Sequence, residues 1–341
     1  MKESVASPNA VTVLIPTFNR VDSLRKSVES VLNETRVPLM VHIFDNASSD
    51  GTEEYAKDLQ QRDPRVVYER RPQNVGSLKN FGLALETVSS SYFVPLSDDD
   101  WLLPDFLHDA YRILEDDPDA GAAIFIGEWR DEDGQLLGTF PEAPERLAFG
   151  KRQASDHFRD WVRAHYAWSA VLWRREVLSA VGAPFMTVGL PSDVDFQAQV
   201  FSAYPVHLVN RPGAVYLQHS GQSSVGYDAW QLPNWARLFA RMDAAVARQQ
   251  LYPAAEYRAL RESMRQRFRG LWAAPLPEPV SLRRRIPLAY AARFGLDDPD
   301  VASALLGTEG LRHGAAWVRA FPRRAVRRTL RTVRRRKQDD A

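Results

Sequence analysis

The sequence predicts an α/β fold: a mostly parallel sheet flanked by helices, followed by a helical C-terminal extension. Three observations predict it. Short β-rich apolar runs alternate with segments of helical period through the first hundred residues, the pattern of parallel strands joined by crossover helices. Three of the first four apolar runs end in distinctive polar loops, as expected where strand ends carry a site. From about Asp228 to Trp272 the strand pattern gives way to two long helical stretches, broken near Leu251–Pro253.

The elements follow in order. Val11–Ile15 (VTVLI) is a short strand closed by Pro16. Leu24, Val28, Val31 and Leu32 then recur at helical spacing, with Asp22 or Ser23 placed to cap the helix. Met40–Phe44 is a second strand, its loop Asp45–Thr52 (DNASSDGT) leading into a helix that runs through about Arg62. Val66–Glu69 reads as a third strand, Gly82–Val88 as part of a third helix, and Tyr92–Leu96 as a fourth strand ending at three aspartates. Beyond them Leu107–Leu114 reads as helix, Ala122–Ile126 as strand and Asp131–Gly134 as a hairpin turn. Ala170–Trp173 reads as strand, and Arg175–Val181 as a helix stopped by Gly182. The domain boundary is expected near residue 226, dividing an α/β domain (1–226) from a helical region (227–341).

The 341 residues carry 44 Lys plus Arg against 43 Asp plus Glu, and 45% are hydrophobic, a globular composition that excludes a largely disordered chain. The absence of cysteine excludes disulfides, thiolate metal sites and a Cys nucleophile. No apolar run approaches the roughly 18 residues that span a bilayer. Val11–Ile15 is too short for a signal peptide, so a cytoplasmic protein is expected. The net charge of +1 hides an asymmetry: Leu311–Lys337 holds 11 basic residues and no acid, while residues 1–310 are net −8. Within that tail, Ala325, Val326, Thr329, Leu330 and Val333 fall on one helical stripe among arginines. Such a helix at Pro322–Lys337 can lie peripherally on an anionic membrane, or dock on the acidic body. Few aromatics interleave the arginines, so nucleic acid is not an expected partner.

If the sheet is parallel, the loops Pro16–Arg20 (PTFNR), Asp45–Thr52 and Ser97–Asp100 lie along one edge and form one composite site. Asp98, Asp99 and Asp100 concentrate charge that needs a cation or solvent. Hard divalent ions such as Mg²⁺ or Mn²⁺ take such oxygen ligands, while a solvated turn capping a helix near Pro104 is the plainer alternative. No G-x-G-x-x-G follows Val11–Ile15, which removes a dinucleotide-dependent dehydrogenase. PTFNR is also not the Gly- and Arg-rich loop that a nucleotide-sugar pyrophosphorylase needs.

Seven segments in order resemble the inverting family 2 glycosyltransferases. They are VTVLIPTFNR, DNASSDGT, NVGSLKNFG, LSDDDWLLPDFL, AVLWRREVLSAVG, SDVDF and YLQHSGQSS, spanning roughly residues 10–226. The resemblance implies the nucleotide-diphosphosugar transferase (GT-A) fold. It also implies transfer of a sugar from a nucleoside-diphosphate sugar, with UDP the first expectation, to an acceptor hydroxyl in glycan, glycolipid or natural-product synthesis. Pro16, Thr17 and Phe18 would line the base, Arg20 would approach base or phosphates, and Asp45 would hydrogen-bond base or ribose. Asn74 and Gly76 would close over the nucleotide, with Lys79 on a phosphate. Asp98 would meet the ribose and the metal, Asp99 the donor sugar, and Asp100 the metal (Mn²⁺ or Mg²⁺), whose shell His219 would complete. Asp193 is the implied general base, in a segment where Ser192 stands in place of the family's usual Glu, and Asp195 is its competitor. Trp101 would offer a sugar platform, while Trp161, Trp168 and Trp173 read as packing. The alternative is a catalytically inactive nucleotide- or glycan-binding domain of the same fold.

Overall fold

The computed structural model describes residues 10–164, 166–189, 191–219 and 232–267. The boundary expected near residue 226 and the basic tail Pro322–Lys337 lie outside the described residues.

The first hundred residues alternate as the sequence predicts: β1 (Val11–Thr17), α1 (Val21–Leu32), β2 (Leu39–Asp45), α2 (Thr52–Arg62), β3 (Val66–Arg70), α3 (Ser77–Glu86) and β4 (Tyr92–Pro95). These strands lie in the order β3-β2-β1-β4, and every neighbouring pair is parallel. The chain continues through β5 (Trp101–Leu102), α4 (Phe106–Asp116), β6 (Ala122–Arg130), β7 (Leu136–Phe140), β8 (Gly150–Arg152) and α5 (Ala154–Trp161). Then come β9 (Val171–Arg174), α6 (Leu178–Val181), α7 (Ser192–Phe201) and β10 (Val206–Leu217). The sheet extends as β4-β9-β6-β10-β5, with β7 on β6 and β8 on β10. Here it becomes mixed: β9 is antiparallel to both β4 and β6, while β6 and β10 are parallel. Two reversals restore direction, so β10 runs the same way as β4 and ends at the same edge.

Burial explains the parallel half. Val11, Val13, Leu14 and Ile15 are all inaccessible, as in a central strand covered on both faces. In α1 the stripe Leu24, Val28, Val31 is buried against this sheet, each side chain contributing about 1.5–3 kcal/mol. The register brings Thr17 opposite Asp45, so β1 and β2 end together.

Strand β10 is not apparent in the sequence, because Asn210–Gly213 (NRPG) interrupts its apolar residues like a turn. The structure keeps the strand continuous by irregular register between Leu208, Pro212 and Ala214 against β6. Helices α8 (Leu232–Gln249) and α9 (Ala254–Arg267) form the C-terminal helical part, broken where the sequence places the break. Residues 237–267 belong to the same compact unit as the sheet. Arg241 pairs with Asp195 of α7, and Glu256 with Arg159 of α5. Among the described residues no helix is long and apolar enough to cross a membrane.

Gly213 is required by close packing: a Cβ there would stand 2.6 Å from the Phe125 Cβ and 2.7 Å from the Phe106 ring. Those rings meet edge to face, with centroids 5.1 Å apart. Gly213→Ala is therefore expected to destabilise the fold by about 1–3 kcal/mol, read as a lowered Tm.

Candidate active site

The first two strand-end loops are laced together by short polar contacts. The Asn19 N–H donates to Ser48 Oγ (2.9 Å) and the Ser49 N–H to Asn19 Oδ1 (2.7 Å). The Asn46 N–H donates to the Thr17 carbonyl (2.9 Å). Asn19 adopts φ +52°, a left-handed geometry that Asn tolerates better than most residues. The start of α1 is capped from outside: the Val21 N–H donates to Asp50 Oδ2 (2.9 Å), whereas Asp22 and Ser23 make no cap bond. The other Asp50 oxygen accepts the Thr52 N–H and hydroxyl, so one carboxylate starts two helices.

Phe18 is 40% exposed at this edge, beyond buried Thr17 and part-buried Pro16. Asp45 is fully enclosed, and its carboxylate accepts from the Ser48 N–H (2.8 Å) and the Tyr68 hydroxyl (2.7 Å), with Arg70 Nε 3.4 Å away. As folded, it shapes the loop rather than presenting an open acceptor to a base. Asn74 Oδ1 accepts from Asn46 Nδ2 (2.9 Å) and the Gly76 N–H (2.8 Å), joining the third loop to the second. Lys79 is exposed on α3.

The three aspartates divide their tasks. Arg20 donates through one nitrogen to Asp98 Oδ1 (3.1 Å) and Asp99 Oδ2 (2.6 Å). From the far end of β10, His219 Nε2 lies 2.9 Å from the same Asp99 oxygen. Asp100 is 2% exposed, and its carboxylate accepts from Ser169 Oγ (2.6 Å) and the Leu217 N–H (3.2 Å). Burial and the neighbouring Asp99 charge push Asp98 up to about 6 and raise Asp100 as well. The expected metal set Asp98, Asp100, His219 is therefore not gathered: His219 meets Asp99, and Asp100 faces protein donors. Among the described residues no group of three His, Asp or Glu side chains stands in metal-holding geometry.

Asp193 lies in the first turn of α7, where backbone N–H groups point at its carboxylate and burial pushes it up to about 6. No salt-bridge partner stands within 4 Å of it among the described residues. Asp195, two residues on, is bound by Arg241 Nε at 2.8 and 3.0 Å and by Gln199 (3.3 Å), which commits it to joining α7 to α8. Phe196 of the same helix packs on Trp168 (4.9 Å), the neighbour of the Ser169 that holds Asp100. Trp161 and Trp173 are core residues. Trp101 carries the Lys26 ammonium 3.1 Å from its ring centroid, on the wall of a cavity of about 430 Å³. That face of the ring is covered by a cation.

Sequence reasoning missed Ser27, Ser30, Asn80 and Ser169. Ser27 Oγ donates to the Asp100 carbonyl, and Ser30 Oγ accepts the Leu102 N–H (3.0 Å), fastening the aspartate loop to α1. Buried Asn80 bridges the Phe44 carbonyl (2.9 Å) and Arg71 (3.2 Å), fixing α3 to the end of β2. A signal existed for Ser27, a polar residue within the buried apolar stripe of α1.

A strand-end site of clustered carboxylates on a parallel sheet defines a class, and comparison with known proteins specifies it. Residues 12–182, half of the chain, match the family described as Glycosyl transferase family 2, and the chain belongs to that family. It is 27% identical over 157 residues to an uncharacterized glycosyltransferase of Methanocaldococcus jannaschii, covering 46% of this chain and 53% of that protein. It is 34% identical over 96 residues to a GalNAc(5)-diNAcBac-PP-undecaprenol β-1,3-glucosyltransferase of Campylobacter jejuni, covering 27% and 30%. The chain thus spans about half or less of the length of these curated relatives. The crystal structure of S. aureus TarS 1–349 in complex with UDP superposes with a TM-score of 0.62 at 13% identity, covering 87% of this chain and 81% of that one. Its complex with UDP-GlcNAc gives 0.58, covering 89% and 92%. At that identity the likeness is one of fold, the GT-A α/β fold with a mixed, mostly parallel sheet.

Asp50→Ala removes the acceptor for both helix starts and should cost about 1–2 kcal/mol, seen as a Tm several degrees lower.

Proposed function

We propose that this chain is a metal-dependent inverting glycosyltransferase that moves a sugar from a nucleoside-diphosphate donor, UDP-linked, to an acceptor hydroxyl by single displacement. The observation that carries the reading is the convergence of the β1, β4 and β10 ends on Asp98 and Asp99, faced by Arg20 and His219. Membership of the family supports sugar transfer, and the fold shared with a UDP-sugar complex supports the donor class.

Exposed Phe18 offers a ring face to the base, and the loop joined through Asn74 and Gly76 borders the nucleotide. Asp98, Asp99 and His219 carry donor atoms of the kind Mn²⁺ or Mg²⁺ takes; drawn together around the ion in place of their present contacts with Arg20 and with one another, they would hold it where it neutralises charge on the departing diphosphate. Arg20 is placed to exchange its carboxylate partners for phosphate oxygens, matching planar donors to either. Asp193 accepts the proton of the acceptor hydroxyl as that oxygen bonds to the anomeric carbon and the bond from that carbon to the phosphate oxygen breaks. With no charged partner among the described residues, its carboxylate suits this task better than that of Asp195, which Arg241 occupies.

Calorimetric titration of UDP, GDP, dTDP and ADP, with and without Mn²⁺, tests the donor site. UDP is expected to bind with metal and to lose most of that affinity in Asp99→Ala; equal affinity without metal would remove the ion from the reading. Asp193→Asn should leave UDP binding in place while lowering kcat at least about 100-fold, followed by UDP release. Binding without turnover in the wild type would favour the inactive-domain alternative. In the wild type, kcat/KM should fall as pH drops below about 6, where Asp193 gains a proton and can no longer accept one and Asp98 is protonated in the same range. The folded carboxyl titrates above its ordinary 3.8, so its ionised form costs stability above pH about 6. Asp193→Asn is accordingly expected to stabilise the fold at neutral pH by on the order of 2 kcal/mol, read as a higher Tm, while it lowers turnover.

A further inference from the structure

We propose that Asp100 is a positioning residue, whose buried carboxyl ties the end of β10 and the start of β9 to the aspartate loop and so sets His219 against Asp99. The proposal rests on the glycosyltransferase reading above for the task of the Asp99–His219 pair.

The geometry is specific. Strand β5 pairs with β10 only at Ala214 and Val215, opposite Leu102 and Trp101. Two residues beyond Val215, past the last β5 pair, the Leu217 N–H donates to Asp100 Oδ1 (3.2 Å). The other carboxylate oxygen accepts from Ser169 Oγ (2.6 Å), in the turn Trp168–Ala170 that leads into β9. Ser27 of α1 holds the Asp100 carbonyl. One residue thus joins α1, β9 and β10, and His219 stands only two residues past the tether, 2.9 Å from Asp99. On its other flank the same segment is held by β6, where the Gln218 N–H donates to the Arg130 carbonyl (2.7 Å). The Asp100 carboxyl clamps it on the side facing the site. With both oxygens turned to protein donors at 2% exposure, it serves those donors, while Asp98 and Asp99 face the cations.

The test compares wild type, Asp100→Ala, Asp100→Asn, Ser169→Ala and Asp99→Asn by two readouts. One is hydrogen exchange at the Leu217 amide in metal-free protein, and the other is the Mn²⁺-dependent affinity for UDP. Loss of the tether in Asp100→Ala should speed Leu217 exchange and weaken Mn²⁺-dependent UDP binding, each about tenfold. Asp100→Asn, whose amide oxygen still accepts from Leu217 and whose NH₂ can donate to the Ser169 hydroxyl, should restore both to within about threefold of wild type. Ser169→Ala should fall between them, and it carries the test with Asp100→Asn if the alanine variant does not fold. The proposal is overturned if Asp100→Asn keeps Leu217 protected yet loses Mn²⁺-dependent binding as fully as Asp99→Asn, because Asp100 would then be a ligand. It is equally overturned if Leu217 exchange is unchanged in Asp100→Ala. Absence of any UDP binding in the wild type, with or without Mn²⁺, would instead sink the UDP-donor reading, and the exchange data would still decide the tether.

Discussion

Three consecutive carboxyl groups at the end of one strand repel each other, and most of the site follows from how the chain answers that charge. Two like charges about 4 Å apart cost about 4 kcal/mol at an effective dielectric of 20, so the cluster cannot stand without partners. The partners come from separate elements: Arg20 from the residue before α1, His219 from beyond β10, Ser169 from the turn before β9, and the backbone of Leu217. Only a sheet in which β1, β4 and β10 run in one direction delivers all of them to the same edge. The mixed second half, with β9 reversed between β4 and β6, is what allows β10 to return in that direction.

The acidic residues around the site fall into two groups by what their oxygens face. Asp45, Asp50, Asp100 and Asp195 are occupied by backbone N–H groups, hydroxyls or a guanidinium, and they shape loops, cap helices and join elements. Asp98 and Asp99 face Arg20 across the strand end, with His219 beside Asp99, and Asp193 has no charged partner among the described residues. A satisfied buried carboxylate contributes to structure, since breaking its bonds leaves a desolvated charge. The proposed chemistry accordingly rests on the second group.

The extent of the family match has a structural counterpart. Residues 12–182 take in the laced loops and the three aspartates, while Asp193 and His219 lie beyond them. The matched part builds the edge that a nucleotide would meet. The later part, α7 and β10, brings the candidate base and the histidine through Phe196 on Trp168 and through Leu217 on Asp100.

The sequence by itself determined the α/β class, the order of the first four strands and helices, the three polar loops and the two C-terminal helices. Each of these depends on local periodicity, on turn residues, or on motifs whose spacing survives along the chain. Tertiary structure alone decided that β9 reverses and that β10 runs through NRPG, because a bulge absorbs the irregularity only when β6 is there to pair with it. It also decided which carboxylates are spoken for. Asp98, Asp99 and Asp100 are chemically identical neighbours in the sequence. They differ because their surroundings come from residues up to 120 positions away, such as His219, and no local pattern encodes which of the three such a partner will meet.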